Sequence, residues 1–361
     1  MLIYWIIFLT LFLISLLKFK YYYFNISLIK KEINLKWKFS FIFITLFIGL
    51  RHQVGGDWFN YIELFNLIKV KNFIDVLYGS DPFYGLINWI FSDLEFGPYW
   101  VNLICGLIFT WGLFIFCRRQ PQPWLALAVS LPYLITVVAM GYTRQAVAIG
   151  IVMAGLAFLQ NGSILKFSIF LFVAIAFHKS AIILLPLVIF SGKKNIYSLI
   201  SIFLFGTLMF YLFLVEYIDS LFSGYIIDQY ESSGALIRVL MNAFPATLFL
   251  VFRKRFNLSH YEESFWSWMS ISALFLLIVL FISPSSTAVD RIALYWIPLQ
   301  LFVFSRLPKA MGKSFIVQYQ YLFLIFIYYS LIFYVWLFHA QYSYLWIPYR
   351  FLPIELIVNS L

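Results

Sequence analysis

An all-α, polytopic membrane protein of about twelve transmembrane or membrane-embedded helices is the fold this chain predicts. Three observations carry that expectation. Of its 361 residues, 63% are hydrophobic and 11% charged, with a mean hydropathy of +0.92, more apolar surface than a soluble core can bury. The apolar runs are unbroken rather than alternating, so they read as helices and not as barrel strands. The net charge of +10 lies mostly in short loops between those runs. It therefore reads as membrane topology under the positive-inside rule and not as a nucleic-acid surface. No stretch is long and polar enough for a separate soluble domain, so residues 1–361 form one polytopic domain. Cys105 and Cys117 give neither a disulfide framework nor a metal-ligand spacing.

Residues 1–17 form the first span, read as retained because no basic stretch precedes it as in a cleaved signal. Residues 18–38 carry Lys18, Lys20, Lys30, Lys31, Lys36 and Lys38 against Glu32, which places this loop in the cytoplasm. Residues 39–50 return outward but are short, so their helix begins within the preceding loop. An outer segment, 51–98, follows. Its apolar stretch 83–91 is too short to span and reads as an interfacial or re-entrant helix. Spans over 99–116, 124–140 and 146–160 come next, with Arg118 and Arg119 inside and Arg144 outside. Residues 167–177 and 181–190 read as two short helices of a hairpin with His178 at its tip. A span over 196–215 leads to an outer loop, 216–238, whose acids are Glu216, Asp219, Asp228 and Glu231. Spans over 239–252, 265–282, 292–304 and 315–338 complete the set. On this topology 17 of the 25 Lys and Arg residues face the cytoplasm, and 12 of the 15 acids face outward.

The outer face carries the unusual chemistry. Arg51-His-Gln-Val-Gly-Gly-Asp57-Trp58-Phe-Asn-Tyr61 starts where a helix ends. It joins a planar cation, a flexible glycine pair, a carboxylate and aromatic faces. Five of the eight outer basic residues are arginines at span ends: Arg51, Arg144, Arg238, Arg291 and Arg350. Topology selects against such placement, so anion binding is the stronger explanation; pairing with outer carboxylates or headgroups is the plainer one. Gly141-Tyr-Thr-Arg144-Gln145 repeats the pattern, and the helix that starts near Arg144 adds its dipole. Asp290-Arg291 also stands before a helix, where Asp290 is a candidate cap. His178 is the only histidine within an apolar hairpin and can take a proton near neutral pH. His52 and Asp57 compete for that role, and a purely structural histidine is the plain reading. Trp58, Tyr61, Tyr84, Tyr295 and Trp346 are candidate platforms for sugar rings, against a plain reading as interfacial belt and core. The scattered histidines form no metal site.

Taken in order, Arg51-x-x-Val-Gly-Gly-Asp57-Trp-x-x-Tyr61, Arg144-Gln145, Phe177-His178-Lys-Ser180 and Arg291-x-x-x-Tyr295 resemble the EpsG-like branch of Wzy-type polysaccharide polymerases. The resemblance covers nearly the whole chain; the family's usual Gly-Thr-Asp-Tyr stands here as Gly-Gly-Asp57-Trp58. It implies a glycosyltransferase of a bacterial inner membrane, with its active-site cavity at the periplasmic face. The donor would be a growing glycan on undecaprenyl diphosphate, and the acceptor a sugar hydroxyl of the next lipid-linked repeat unit of an O-antigen, capsule or exopolysaccharide. No nucleotide sugar, cofactor or metal is implied. The implied partners are the lipid-linked units, a flippase and a chain-length regulator, and no nucleic acid. On this expectation Arg51, Arg144, Arg291 and Arg238 hold the diphosphate, Asp57 or His178 activates the hydroxyl, and Trp58, Tyr61, Tyr84 and Tyr295 bind sugar. The rivals are a lipid-linked oligosaccharide flippase, which needs a cavity open to both sides, and a membrane O-acyltransferase, whose donor would be cytoplasmic. A glycan ligase shares the donor and differs in product length.

Overall fold

The computed structural model describes residues 1–24, 35–159, 163–187, 232 and 234–360. Among them the regular structure is helical, apart from one isolated antiparallel bridge between Arg51 and Phe351. Six stretches are long and apolar enough to cross a membrane: Leu2–Phe19, Gly97–Arg118, Ala235–Phe256, His260–Ile282, Ser286–Met311 and Phe315–His339. They mark the chain as an integral membrane protein, because lipid tolerates only backbone that satisfies its own polar groups.

Helix α1 is Leu2–Phe24 and α2 is Leu35–Gly49, which starts ahead of its apolar run, as its shortness requires. The outer segment holds three helices rather than one: α3 Trp58–Lys69, α4 Phe73–Leu77 and α5 Pro82–Ile90. The stretch read as interfacial is α5. Helix α3 buries Trp58, Tyr61, Phe65 and Ile68, a spacing of three and four that places them on one face.

The centre is built from α6 (Gly97–Arg118), α7 (Pro123–Ser130) and α8 (Thr143–Leu159). Helix α7 runs on as a wide π-helical stretch, Leu131–Ala139, and every residue of both is buried. Helices α6 and α8 meet at small residues. A Cβ on Gly112 would lie 1.8 Å from the Gly150 carbonyl oxygen, so only glycine allows that approach. In the π-helical stretch the Thr136 hydroxyl donates to the Leu131 carbonyl at 2.9 Å, and the Trp346 indole donates to the Thr136 carbonyl at 2.8 Å.

Helix α9, Ile164–Phe177, ends at His178, whose extended backbone (φ −158°, ψ 109°) breaks the chain before a 3-10 turn, Lys179–Leu184. His178 thus sits between two short helical pieces. The far end of the expected hairpin, the span over 196–215 and the acidic loop 216–231 lie outside the described residues. Helices α10 (Ala235–Phe252), α11 (His260–Ile282), α12 (Ser286–Ala293), α13 (Ile297–Met311), α14 (Phe315–His339) and α15 (Leu352–Ser360) follow. The expectation that Asp290 and Arg291 precede a helix is corrected. Both lie inside α12, which the Ser285 hydroxyl caps by accepting from the Ala288 amide.

Candidate functional site

Two aspartates stand at helix starts yet cap neither helix. Asp57 is the N-cap residue of α3, and Asp81 that of α5 with Pro82 behind it, but neither side chain bonds its own helix. An aspartate there normally accepts from the first free amides. Both carboxylates are instead turned toward other segments.

Asp81 is the more tightly held. Its Oδ2 accepts from Arg144 Nη1 at 2.6 Å and lies 3.3 Å from His178 Nδ1, and its Oδ1 accepts from the Lys179 amide at 3.2 Å. Burial alone would raise this carboxyl; the His178 ring, the Arg144 guanidinium and the Lys179 amide hold it below the ordinary carboxylate value. Arg144 lies between Asp81 and two tyrosines, its guanidinium carbon 5.8 Å from the Tyr61 ring centre and 5.9 Å from that of Tyr84. Its backbone amide donates to the Tyr61 hydroxyl at 3.4 Å. The side chain is about one-third exposed, and Nε is buried without a partner among the described residues. A cavity of about 90 Å³ adjoins the pair, lined by Leu64, Ile68, Tyr84 and Gly85 among others.

Asp57 lies across from this group. Its Oδ2 is 3.9 Å from Arg291 Nη1, and Arg291 covers the Tyr142 ring at 4.1 Å. Burial raises the Asp57 carboxyl above its ordinary value, while Arg291, Arg144 and His178 each pull it back down. That shared field ties the two halves into one cluster of two carboxylates, two arginines and a histidine. Two bonds brace its rim: Gln145 Nε2 donates to the Arg291 carbonyl at 2.6 Å, and the Ser180 and Tyr295 hydroxyls are 2.9 Å apart.

The loop carrying Asp57 depends on Gly55. Its φ is 110°, and a Cβ there would lie 2.2 Å from the Met140 carbonyl oxygen. Its amide donates to the Leu345 carbonyl at 2.9 Å. The C-terminal segment completes this clamp, with the His52 amide on the Arg350 carbonyl and the Leu352 amide on the Leu50 carbonyl, each at 2.9 Å.

The sequence profile of the EpsG family matches residues 34–351. The chain belongs to the EpsG family. That family is associated with exopolysaccharide biosynthesis. The match covers every residue of the cluster and leaves out α1 and α15. No curated protein and no solved structure matches the chain.

Among the residues that the sequence of this EpsG family member singled out, the structure brings Asp57, Arg144, His178 and Arg291 together. It places Arg51 elsewhere. That side chain is fully buried and donates to the Val54 carbonyl (3.1 Å), the Ile48 carbonyl (2.7 Å), Asn102 Oδ1 (3.3 Å) and Thr143 Oγ1 (2.9 Å). Its hydrogen-bonding capacity is directed at the fold, tying α2, α6 and α8 together. Arg238 is engaged as well, its Nε and Nη2 reaching the two Asp290 oxygens at 2.5 and 2.7 Å. The five aromatic platforms are buried: Trp58 is 4% exposed, Tyr61 8%, Tyr84 2%, Tyr295 1% and Trp346 3%. Tyr61 and Tyr84 form the floor under Arg144, and Trp58 packs on Tyr99 and His52. Asp81 was missed. Read as sequence, an aspartate before a proline is a routine helix start.

Proposed function

We propose that this EpsG family member is a polysaccharide polymerase. It transfers a growing glycan from a polyprenyl diphosphate to a sugar hydroxyl of an incoming lipid-linked repeat unit, at the outer face of a bacterial cytoplasmic membrane. The observation that carries the reading is the convergence of Asp57, Arg144, His178 and Arg291, from four separate segments, into one half-buried cluster beside membrane-length helices.

The chemistry follows from those groups. The acceptor oxygen attacks the anomeric carbon, the bond from that carbon to the diphosphate breaks, and the diphosphate leaves with the electron pair. Arg144 and Arg291, each about one-third exposed, meet the charge that grows on the leaving group. The hydroxyl proton passes to His178. Its Nδ1 faces Asp81, and among the described residues its Nε2 has no protein partner. Asp57 is the second candidate base, because burial makes its carboxylate more basic than usual. Arg51 and the buried aromatics enter as supports of the cluster. The sugar–diphosphate bond supplies the energy, and a flippase and a chain-length regulator are the partners the reaction calls for.

A glycan ladder from cells lacking this gene, complemented with wild type or with Arg144→Ala, tests the reading. A single repeat unit on the carrier in the deletion strain, with the ladder restored by wild type and not by Arg144→Ala, is the expected result. Long chains in the deletion strain refute it. Transfer of single units only would make the protein a ligase.

A further inference from the structure

We infer that Asp81 is the positioning residue of this site. One carboxylate orients the His178 ring and pins Arg144, so that the proton acceptor and the cation for the leaving group hold one relative geometry. The role rests on the polymerase reading above.

Three observations carry it. The first is the unused cap. Asp81 occupies the N-cap of α5 with Pro82 at the first helical position, yet its side chain bonds nothing in α5. The second is the convergence of donors. Oδ2 meets Arg144 Nη1 and His178 Nδ1, and Oδ1 meets the Lys179 amide. These donors belong to the start of α8 and to the break between α9 and the 3-10 turn. The third is burial: Asp81 is 7% exposed, while the Arg144 and His178 side chains are 32% and 23% exposed. The carboxylate stays behind while the groups it holds reach the open side.

The physical consequence is specific. A carboxylate on Nδ1 favours the tautomer with the proton on Nδ1 and leaves the Nε2 lone pair to accept a proton. The Lys179 amide on Oδ1 fixes the plane of the carboxylate, and so the direction of Oδ2. Asparagine is nearly the same shape. It removes the charge that holds Arg144, and its amide group, turned to Nδ1, favours the opposite tautomer.

The test uses the purified full-length protein and lipid-linked repeat units extracted from cells lacking the gene. Initial rates of chain extension are measured for wild type, Asp81→Asn, His178→Gln and the double variant. The expected result is a kcat loss on the order of a hundredfold for Asp81→Asn, as when a general base is disarmed. On the His178→Gln background the same substitution should cost roughly tenfold rather than a hundredfold, because the share of its role that acts through His178 is already gone and only the hold on Arg144 remains. A structural role alone would give equal losses on both backgrounds, and that result, or an unimpaired Asp81→Asn, overturns the assignment. If Asp81→Asn does not yield folded protein, Asp81→Glu carries the same cycle: it shifts the carboxylate by one methylene and should cost more when His178 is present than when it is absent. Wild-type protein that extends no chain sinks the polymerase reading and this role with it. A working wild type with equal losses sinks this role alone.

Discussion

Replacing Arg51 by lysine should unfold the protein more easily and leave its affinity for the lipid-linked substrate unchanged. The guanidinium is fully buried and spreads four hydrogen bonds over Ile48, Val54, Asn102 and Thr143, at 2.7 to 3.3 Å. Those acceptors lie in different directions around a planar fork. An ammonium at the end of a flexible stem meets at most two of them. A buried polar group left without a partner costs roughly 1–3 kcal/mol, so Arg51→Lys should cost about 3–5 kcal/mol. The assay is unfolding of the purified protein in mixed micelles, read by tryptophan fluorescence, beside KM for extracted lipid-linked repeat units. Arg144→Lys is the control expected to do the reverse, with a raised KM and a smaller stability change, because its side chain is one-third exposed. Wild-type stability in Arg51→Lys combined with a raised KM would refute the reasoning and return Arg51 to the diphosphate.

Other expectations follow from the same geometry. Gly55→Ala combines a φ of 110° with a Cβ 2.2 Å from the Met140 carbonyl oxygen, so it should lose the glycan ladder and several kcal/mol of stability, on the order of 3 or more; an alanine variant that unfolds like wild type would show the clamp to be soft. Asp57, raised by burial, favours the fold while protonated; its contribution is present below the ordinary carboxylate value and is lost as pH rises through the raised one. Asp57→Asn should therefore gain stability relative to wild type as pH rises across that window, measured by micellar unfolding at a series of pH values. Asp81 has the opposite sign. Its contribution is present above the ordinary value and lost as pH falls through the depressed one, so the wild-type and Asp81→Asn curves should converge in acid and separate above it. Arg238→Ala leaves Asp290 without its bidentate partner and should cost about 3–5 kcal/mol, whereas removing both partners together should cost less than the sum.

The helical membrane architecture was legible because hydropathy and helix length answer to one constraint, the thickness of the apolar layer. The runs that end at Leu17, Phe116, Phe252, Ile282 and Phe338 all fall within observed helices. The short helix α3 was not read, although Trp58, Tyr61, Phe65 and Ile68 carry its period. Asp57, Trp58 and Tyr61 read as ligand-facing groups in the sequence, yet Trp58 and Tyr61 lie on the buried face of α3. Asp290 is only a candidate cap in the sequence, and a serine five residues earlier performs that role. In the site, four residues of the cluster stood out because polar groups at the ends of apolar runs need a reason to be there. Which arginine is structural was not legible. Arg51 and Arg144 each follow a span end and stand near a glycine; only three-dimensional packing shows that Thr143 reaches back to Arg51 while Arg144 turns to Asp81.

That division suggests why the site is made from helix beginnings. An arginine facing lipid headgroups would find anions anywhere, so a site that selects a diphosphate has to hold its cations away from them until substrate arrives. Asp57 and Asp81 give up their capping bonds to supply those holding contacts. The two contacts are unequal. Arg144 is held at 2.6 Å by a nearly buried carboxylate, whereas Arg291 is 3.9 Å from a carboxylate that is a quarter exposed. A bidentate anion can displace the second contact at much lower cost than the first. On the proposed function, Arg291 would be the cation that turns to the substrate, and Arg144 the fixed post beside His178. Asp57→Ala should accordingly loosen Arg291 and strengthen nonspecific binding to anionic vesicles, while Asp81→Ala should disorder the His178 side. Vesicle co-sedimentation measures the difference. Equal vesicle binding by the two variants would show that the carboxylates do not divide the work in this way.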